Sequence, residues 1–177
     1  MLFTLKKEEQ GFVIEESGHA IYRIAQDTTD KLLSFALKNP YGDEVMNFYQ
    51  IKKWYQILPV LQTHEFSIYE NDVKIGKLEK TKKGFDLILH DVPYHMYGGT
   101  HHAMRTVIVF DRETQVAEFT LGEQSSVAFT NGVFGSTYAM LLFLFQEIIK
   151  ETEFMAEAFQ DAYRGMYLRS LDDVVAE

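Results

Sequence analysis

The sequence predicts a mainly β fold closed by C-terminal helices, and three observations carry that prediction. From Leu2 to about Phe129, short runs rich in Val, Ile, Phe and Tyr alternate with polar residues and stop at turn residues. After Asn131 the period changes, and from Ser136 to Arg164 neither Gly nor Pro interrupts a run of helix formers. The chain has 177 residues, 46% of them hydrophobic and 14% aromatic, which suits one domain with a real core.

The first hairpin is Phe12 to Glu16, a turn at Ser17-Gly18, then Ala20 to Ala25. Lys31 to Lys38 and Glu44 to Ile51 flank a turn at Asn39-Pro40-Tyr41-Gly42-Asp43, where Pro presets φ and Gly supplies a positive φ. Tyr55 to Leu61 reads as a further strand, which Pro59 confines to an edge or a bulge. Glu65 to Glu70 and Val73 to Lys80 flank Asn71-Asp72. Gly84 opens Phe85 to His90, and Val92 to Tyr97 stops at Gly98-Gly99. Arg105 to Phe110, a turn at Asp111 to Thr114 and Gln115 to Leu121 form a long hairpin, and Ser126 to Phe129 is the last strand. This is about a dozen strands, the pattern of a sandwich or a closed barrel.

Two helices follow. Tyr138 to Ile149 is apolar nearly all round, as a helix buried on every side must be. Its unbroken run, Tyr138 to Phe145, falls far short of the about 20 residues that span a bilayer. Ser136 or Thr137 is the expected N-cap. In the second helix, Phe154, Met155, Ala158, Phe159, Ala162, Tyr163, Met166 and Tyr167 form one apolar stripe that ends near Gly165. A stripe of that size must be covered. Either it packs across the barrel mouth or it pairs with its copy in a homodimer through Phe154, Phe159 and Tyr163. The expected organisation is a barrel with its helix over residues 1–150, the helix at about 136–150, and an amphipathic helix and tail of the same domain over 151–177.

An internal repeat supports closure. Phe12 to Ile24 lies over Phe66 to Leu78 at constant offset, matching Phe12 with Phe66, Ile14 with Ile68, Gly18 with Asp72 and Ile21 with Ile75. Gly42 to Phe48 lies over Glu113 to Phe119. Strand-rich halves closed on each other need something in the middle, and the apolar helix is the candidate.

These paired hairpins of the form Ile-x-x-(n)-Gly/Asp-x-x-Ile, together with the Tyr94-His95-Met96-Tyr97-Gly98 strand end, carry a resemblance. So do the Thr106 to Phe119 hairpin with Val116-Ala117-Glu118 and the apolar helix at 138–149. Over roughly residues 2 to 150 the chain resembles the tubby C-terminal-like superfamily, which includes LURP-one-related proteins and phospholipid scramblases. The resemblance implies a closed antiparallel barrel of twelve strands threaded by a central hydrophobic helix. It also implies a lipid-facing function: phosphoinositide binding in tubby proteins, lipid movement in scramblases.

Composition excludes several classes. Seventeen Lys and Arg against 26 Asp and Glu give a net charge of −9, the wrong balance for nucleic acid. With no Cys there is no disulfide, thiolate metal site or cysteine nucleophile. The N-terminus, Met1 to Lys7, lacks a signal-peptide h-region, and the expected location is cytoplasmic. His64-Glu65 lacks the second His of a zinc-protease motif, Gly132 to Thr137 lacks a P-loop Lys, and no Gly-x-Ser-x-Gly frame surrounds Ser136. Asp111-Arg112-Glu113-Thr114 has too few spaced carboxylates for a calcium loop.

Two constellations remain. Lys74, Lys77, Lys80, Lys82 and Lys83 form a basic cluster, read either as an anionic-headgroup patch making weak membrane contact or as a solvated hairpin edge guarded by Lys. His90, His95, His101 and His102 surround Asp91 and Pro93 and follow or precede Gly98-Gly99. Neutral imidazoles ligate zinc, but the odd spacing of His90 and His95 puts them on opposite strand faces, and the bland alternative is a polar loop. The leading reading is a non-enzymatic barrel without cofactor that binds a ligand, lipid headgroup or protein partner. The alternative is an enzyme or metal-binding protein using the His90–His102 loop.

Overall fold

The computed structural model describes residues 1–27, 32–52 and 64–175, with side chains through Met166. Twelve strands follow one another: β1 (Leu2–Glu8), β2 (Gly11–Glu16), β3 (His19–Asp27), β4 (Ser34–Lys38), β5 (Glu44–Gln50), β6 (Phe66–Glu70), β7 (Val73–Lys80), β8 (Phe85–Leu89), β9 (Val92–His101), β10 (Met104–Asp111), β11 (Thr114–Leu121) and β12 (Ser125–Phe129). Each pairs antiparallel with the next, and β12 returns to β1, so the sheet closes into a barrel without an edge. The expected strand at Tyr55 to Leu61 lies outside the described residues. Helix α1 (Gly135–Glu147) follows a 3-10 turn at Gly132–Phe134, and α2 (Ala156–Val175) follows a second one at Glu151–Glu153. Consecutive strands alternate in direction. The hairpins β2–β3, β4–β5, β6–β7, β8–β9 and β10–β11 therefore turn at one end, here the upper end, where β12 also passes into α1.

The repeat takes a definite physical form. In β2–β3, Ile14 faces Tyr22 and Glu15 faces Ala20, leaving Ile21 as an extra residue. The same skip leaves Val45 in β4–β5, Ile75 in β6–β7 and Val116 in β10–β11. Each of these β-branched residues stands three positions after Gly18, Gly42, Asp72 or Glu113, and each packs against the barrel core. A bulge bends its strand and increases the local twist, which is what a sheet needs to curl shut. The unit of repetition is thus the bulged hairpin. That explains why one sequence match relates hairpins four strands apart and the other relates hairpins six strands apart.

Helix α1 fills the interior. Every side chain from Thr137 to Phe145 is buried, enclosed by Phe3, Phe35, Phe48, Phe85, Phe119 and other residues from across the barrel. At its lower end the guanidinium of Arg105 donates to the carbonyls of Phe145 at 2.6 Å and Ile149 at 2.5 Å. Those terminal carbonyls have no partner within the helix, and a cation there also meets the negative end of the helix dipole. Among the described residues no helix is long and apolar enough to cross a membrane.

Three expectations change, and one open alternative is decided. Neither Ser136 nor Thr137 caps α1, whose N-cap position is Phe134 without a side-chain cap; Asn131 Oδ1 instead caps the preceding 3-10 turn, accepting the Val133 N–H at 3.0 Å. The two helices are separate. Gly165 does not end α2, because a helix interior tolerates a glycine at a cost of only about 1 kcal/mol. Gly98-Gly99 does not end β9 either. A Cβ on Gly98 would lie 2.6 Å from Phe154 Cγ, and one on Gly99 would lie 2.3 Å from Phe159 Cδ1. The pair leaves room for two aromatic rings, one on each face of the wall. Phe154 packs on Phe85 and Phe145 inside the lower end, while Phe159 lies outside with Ile108, Phe110 and Tyr97. Of the apolar stripe, Phe154 and Phe159 are buried within one chain and Tyr163 stacks on His101 at 4.5 Å, while Met155 stays exposed.

Candidate site: a cationic groove at the lower end of the barrel

The five lysines separate. Lys74 is exposed at the upper end of β7, about 26 Å of strand away from Lys82. Lys77 points outward and pairs with Glu79 at 3.0 Å. Lys80 shares a face with buried Leu78 and turns into the lower mouth. Its ammonium donates to the carbonyls of Thr81 at 3.0 Å, Gly84 at 3.3 Å and Glu153. Burial lowers the Lys80 pKa and the Glu153 charge opposes that shift. Only Lys82 and Lys83 stand together in solvent, on the turn between β7 and β8.

The histidines separate too. His90 sits at the upper end with φ +50° in the β8–β9 turn. His101 and His102 sit at the lower end, in contact with each other at 4.0 Å, roughly 30 Å of β9 away from His90. A tight turn follows β9 there, with His102 and Ala103 at positive φ. His95 projects outward from mid-strand, directly opposite Asp86, and its Nδ1 meets Asp86 Oδ1 at 2.8 Å. The four imidazoles therefore do not converge. Among the described residues, no group of three or more His, Cys, Asp or Glu is placed to hold a metal ion.

One member of the histidine set does meet two of the lysine set. Thr81, Lys82, Lys83, Phe85, Asp86, His95, Met96 and Tyr97 line an outer-wall cavity of about 400 Å³. The turn that carries the lysines is held from several directions. Thr81 N–H donates to Gly84 O at 2.9 Å, Gly84 N–H to Thr81 Oγ1 at 3.1 Å, and Met155 N–H to Lys83 O at 3.2 Å. Gly84 is needed there, since a Cβ would lie 2.3 Å from the Met96 carbonyl oxygen. With Nδ1 engaged by Asp86, Nε2 is the His95 ring nitrogen left for another partner. Burial, then the Asp86 charge, push the Tyr97 phenol up, so it stays a neutral hydroxyl. A larger depression of about 540 Å³ over β11 and β12 has Glu118 as its one charged side chain.

Behind the groove lies a polar tie that sequence reading missed. His64 Nδ1 meets Glu153 Oε1 and Oε2, both at 2.9 Å, and Lys150 N–H donates to Glu153 Oε2 at 2.9 Å. Burial raises the Glu153 pKa, but the hydrogen bonds from His64 and the Lys150 amide outweigh it, and the net shift is downward. The buried Glu65 accepts the Lys80 N–H through Oε1 at 3.0 Å. His64-Glu65 had stood out only as half of a protease motif. Its role is to anchor the segment that delivers Phe154.

The sequence matches no family model, and no curated protein matches it. The fold is similar to a crystal structure of a protein from Arabidopsis thaliana, with a TM-score of 0.58 and 13% identity over 81% of this chain and 88% of that one. At that identity the likeness concerns the barrel architecture.

Proposed function

We propose that this barrel is a binding domain that takes a phosphate-type anion in the groove of Lys82, Lys83 and His95. We also read the chain as a small member of the tubby C-terminal-like superfamily, which its hairpin signature and helix-filled barrel support. The observation that carries the binding reading is the convergence of two exposed lysines on a pinned turn with an imidazole and a neutral phenol of β9 in one cavity. Preorganised donors lose little freedom on binding, which favours affinity. The net charge of −9 opposes long-range attraction, so the groove selects at short range.

The test is titration of the full chain with inorganic phosphate, with a soluble inositol phosphate, and with phosphatidylserine or phosphatidylcholine vesicles. Saturable binding is expected, weakened at least tenfold by Lys82→Glu/Lys83→Glu and little by Lys74→Glu at the far end. Each lysine near an anionic surface is worth up to about 1 kcal/mol. Binding of soluble phosphates without vesicles marks a free ligand, and binding of phosphatidylserine vesicles marks a lipid headgroup. Equal loss in Lys74→Glu, or no saturable binding of any probe, refutes the reading.

A further inference from the structure

We infer that the upper end of the barrel is a docking surface for a cationic, amphipathic segment of a partner protein. This surface is independent of the groove, at the opposite end of the strands. Nine large apolar side chains are exposed among the described residues, and six of them ring this one end: Met1, Leu2, Tyr41, Val73, Val92 and Val133. Single exposed apolar residues are ordinary, but a concentration of them marks an interaction site. Their positions are also unusual. Turn tips favour polar residues and glycine, yet Val73 directly follows the Asn71-Asp72 turn and Val92 directly follows His90-Asp91. Those two hairpins are pinned side by side by His90 N–H donating to Ile75 O at 2.8 Å. Met1 lies against Gly132, next to Val133, with its ammonium donating to Phe129 O at 3.0 Å. The rim is a fixed surface.

Charge selects the occupant. This end carries Glu16, Asp43, Glu44, Asp72, Asp91 and Glu113 against Lys38, Lys74, Arg112 and the Met1 ammonium, and Lys38 already meets Glu44 at 4.0 Å. An anionic membrane would meet like charge here, and so would the same rim of a second copy. A segment that alternates apolar side chains with Lys or Arg satisfies both the apolar ring and the carboxylates between its members.

The probe is an 18-residue synthetic peptide with Leu at helical spacing and Lys between, titrated into the full ¹⁵N-labelled chain. A control peptide replaces Leu with Ser at unchanged charge. Saturable shifts are expected at residues 16–19, 39–44, 71–74, 90–92 and 131–133, with at least tenfold weaker binding of the control. Val73→Ser/Val133→Ser keeps every charge and should also weaken binding at least tenfold. If that variant does not fold, Tyr41→Ser, at an exposed tip, gives the same reading. Shifts centred elsewhere, or equal binding of both peptides, overturn the inference. Attachment to phosphatidylcholine vesicles, lost in the same variants, overturns it in favour of lipid.

Discussion

Adding one methyl group at Gly99 should have opposite effects depending on the residue at 159. In the wild type, a Cβ on Gly99 would sit 2.3 Å from Cδ1 of Phe159. Carbon atoms rest about 3.5–4.0 Å apart, so the ring must retreat by more than about 1 Å, and a gap of that size already forfeits up to half of each contact. Phe159 is 1% exposed, and burying such a side chain fully contributes about 1.5–3 kcal/mol. If the ring is displaced altogether, Gly99→Ala should therefore cost the docked α2 about 1–2 kcal/mol, after about 0.5–1 kcal/mol is regained from replacing a strand glycine. In a Phe159→Ala background the obstacle is gone, and the same substitution should be neutral or stabilising. The assay is a double-mutant cycle in urea followed by far-UV circular dichroism, with amide exchange of α2 measured on each variant. Wild-type exchange in the Gly99→Ala variant, or equal cost in both backgrounds, would refute the idea that this glycine exists to seat the ring.

Two further outcomes follow from the interior. Leu144 is fully buried on α1, and a carboxylate there has no partner within the barrel; Leu144→Asp should abolish the folded state, since Leu→Ala alone costs about 2–5 kcal/mol against a total of about 5–15 kcal/mol, and a soluble, β-rich variant by circular dichroism would contradict this. Glu153 has a pKa below its ordinary value of 4.5 in the folded chain, so it contributes stability in full above that value and loses it as pH falls through the folded-state pKa; the difference in urea midpoint between wild type and Glu153→Gln should shrink between about pH 5 and pH 2, and a pH-independent difference would show that the carboxylate charge plays no part.

The strands, the buried helix and the bulged hairpins are legible in the sequence because each rests on local chemistry. Alternation, turn residues and the glycine or acid three positions before Ile21, Val45, Ile75 and Val116 are all present in the text of the chain. What was not legible depends on partners distant in sequence. Gly98-Gly99 reads as a stop because nothing local announces the two rings of Phe154 and Phe159 that fill their vacant faces. The lysine cluster reads as one patch because five residues lie within ten positions, but a strand sends neighbours to opposite faces and its ends far apart. Lys80 carried a usable signal: it shares its face with Leu78, which turns it inward. The pairing of Asp86 with His95 follows from the β8–β9 register, and that register is fixed by the His90-Asp91 turn.

The filled interior restricts where this protein can act. Many barrels of modest size hold a ligand inside. Here α1 occupies that space with side chains buried from wall to wall, Phe154 seals the lower mouth, and Arg105 satisfies the last carbonyls of the helix. Removing α1 to admit a ligand would expose its apolar surface and that of the wall facing it, which at roughly 25 cal/mol per Å² exceeds what a small ligand returns. The binding proposed above is therefore confined to the outer wall and the two rims, and the two rims differ in chemistry. At the lower end the side chains that could bind are largely engaged in anchoring the 150–155 segment, and what remains outward is a small cationic groove. At the upper end the turns are built from positive-φ residues that hold apolar side chains in solvent between carboxylates. A hairpin barrel with a helical core thus presents a small cationic groove at one end and a broader apolar, acidic rim at the other. Neither requires the barrel to open.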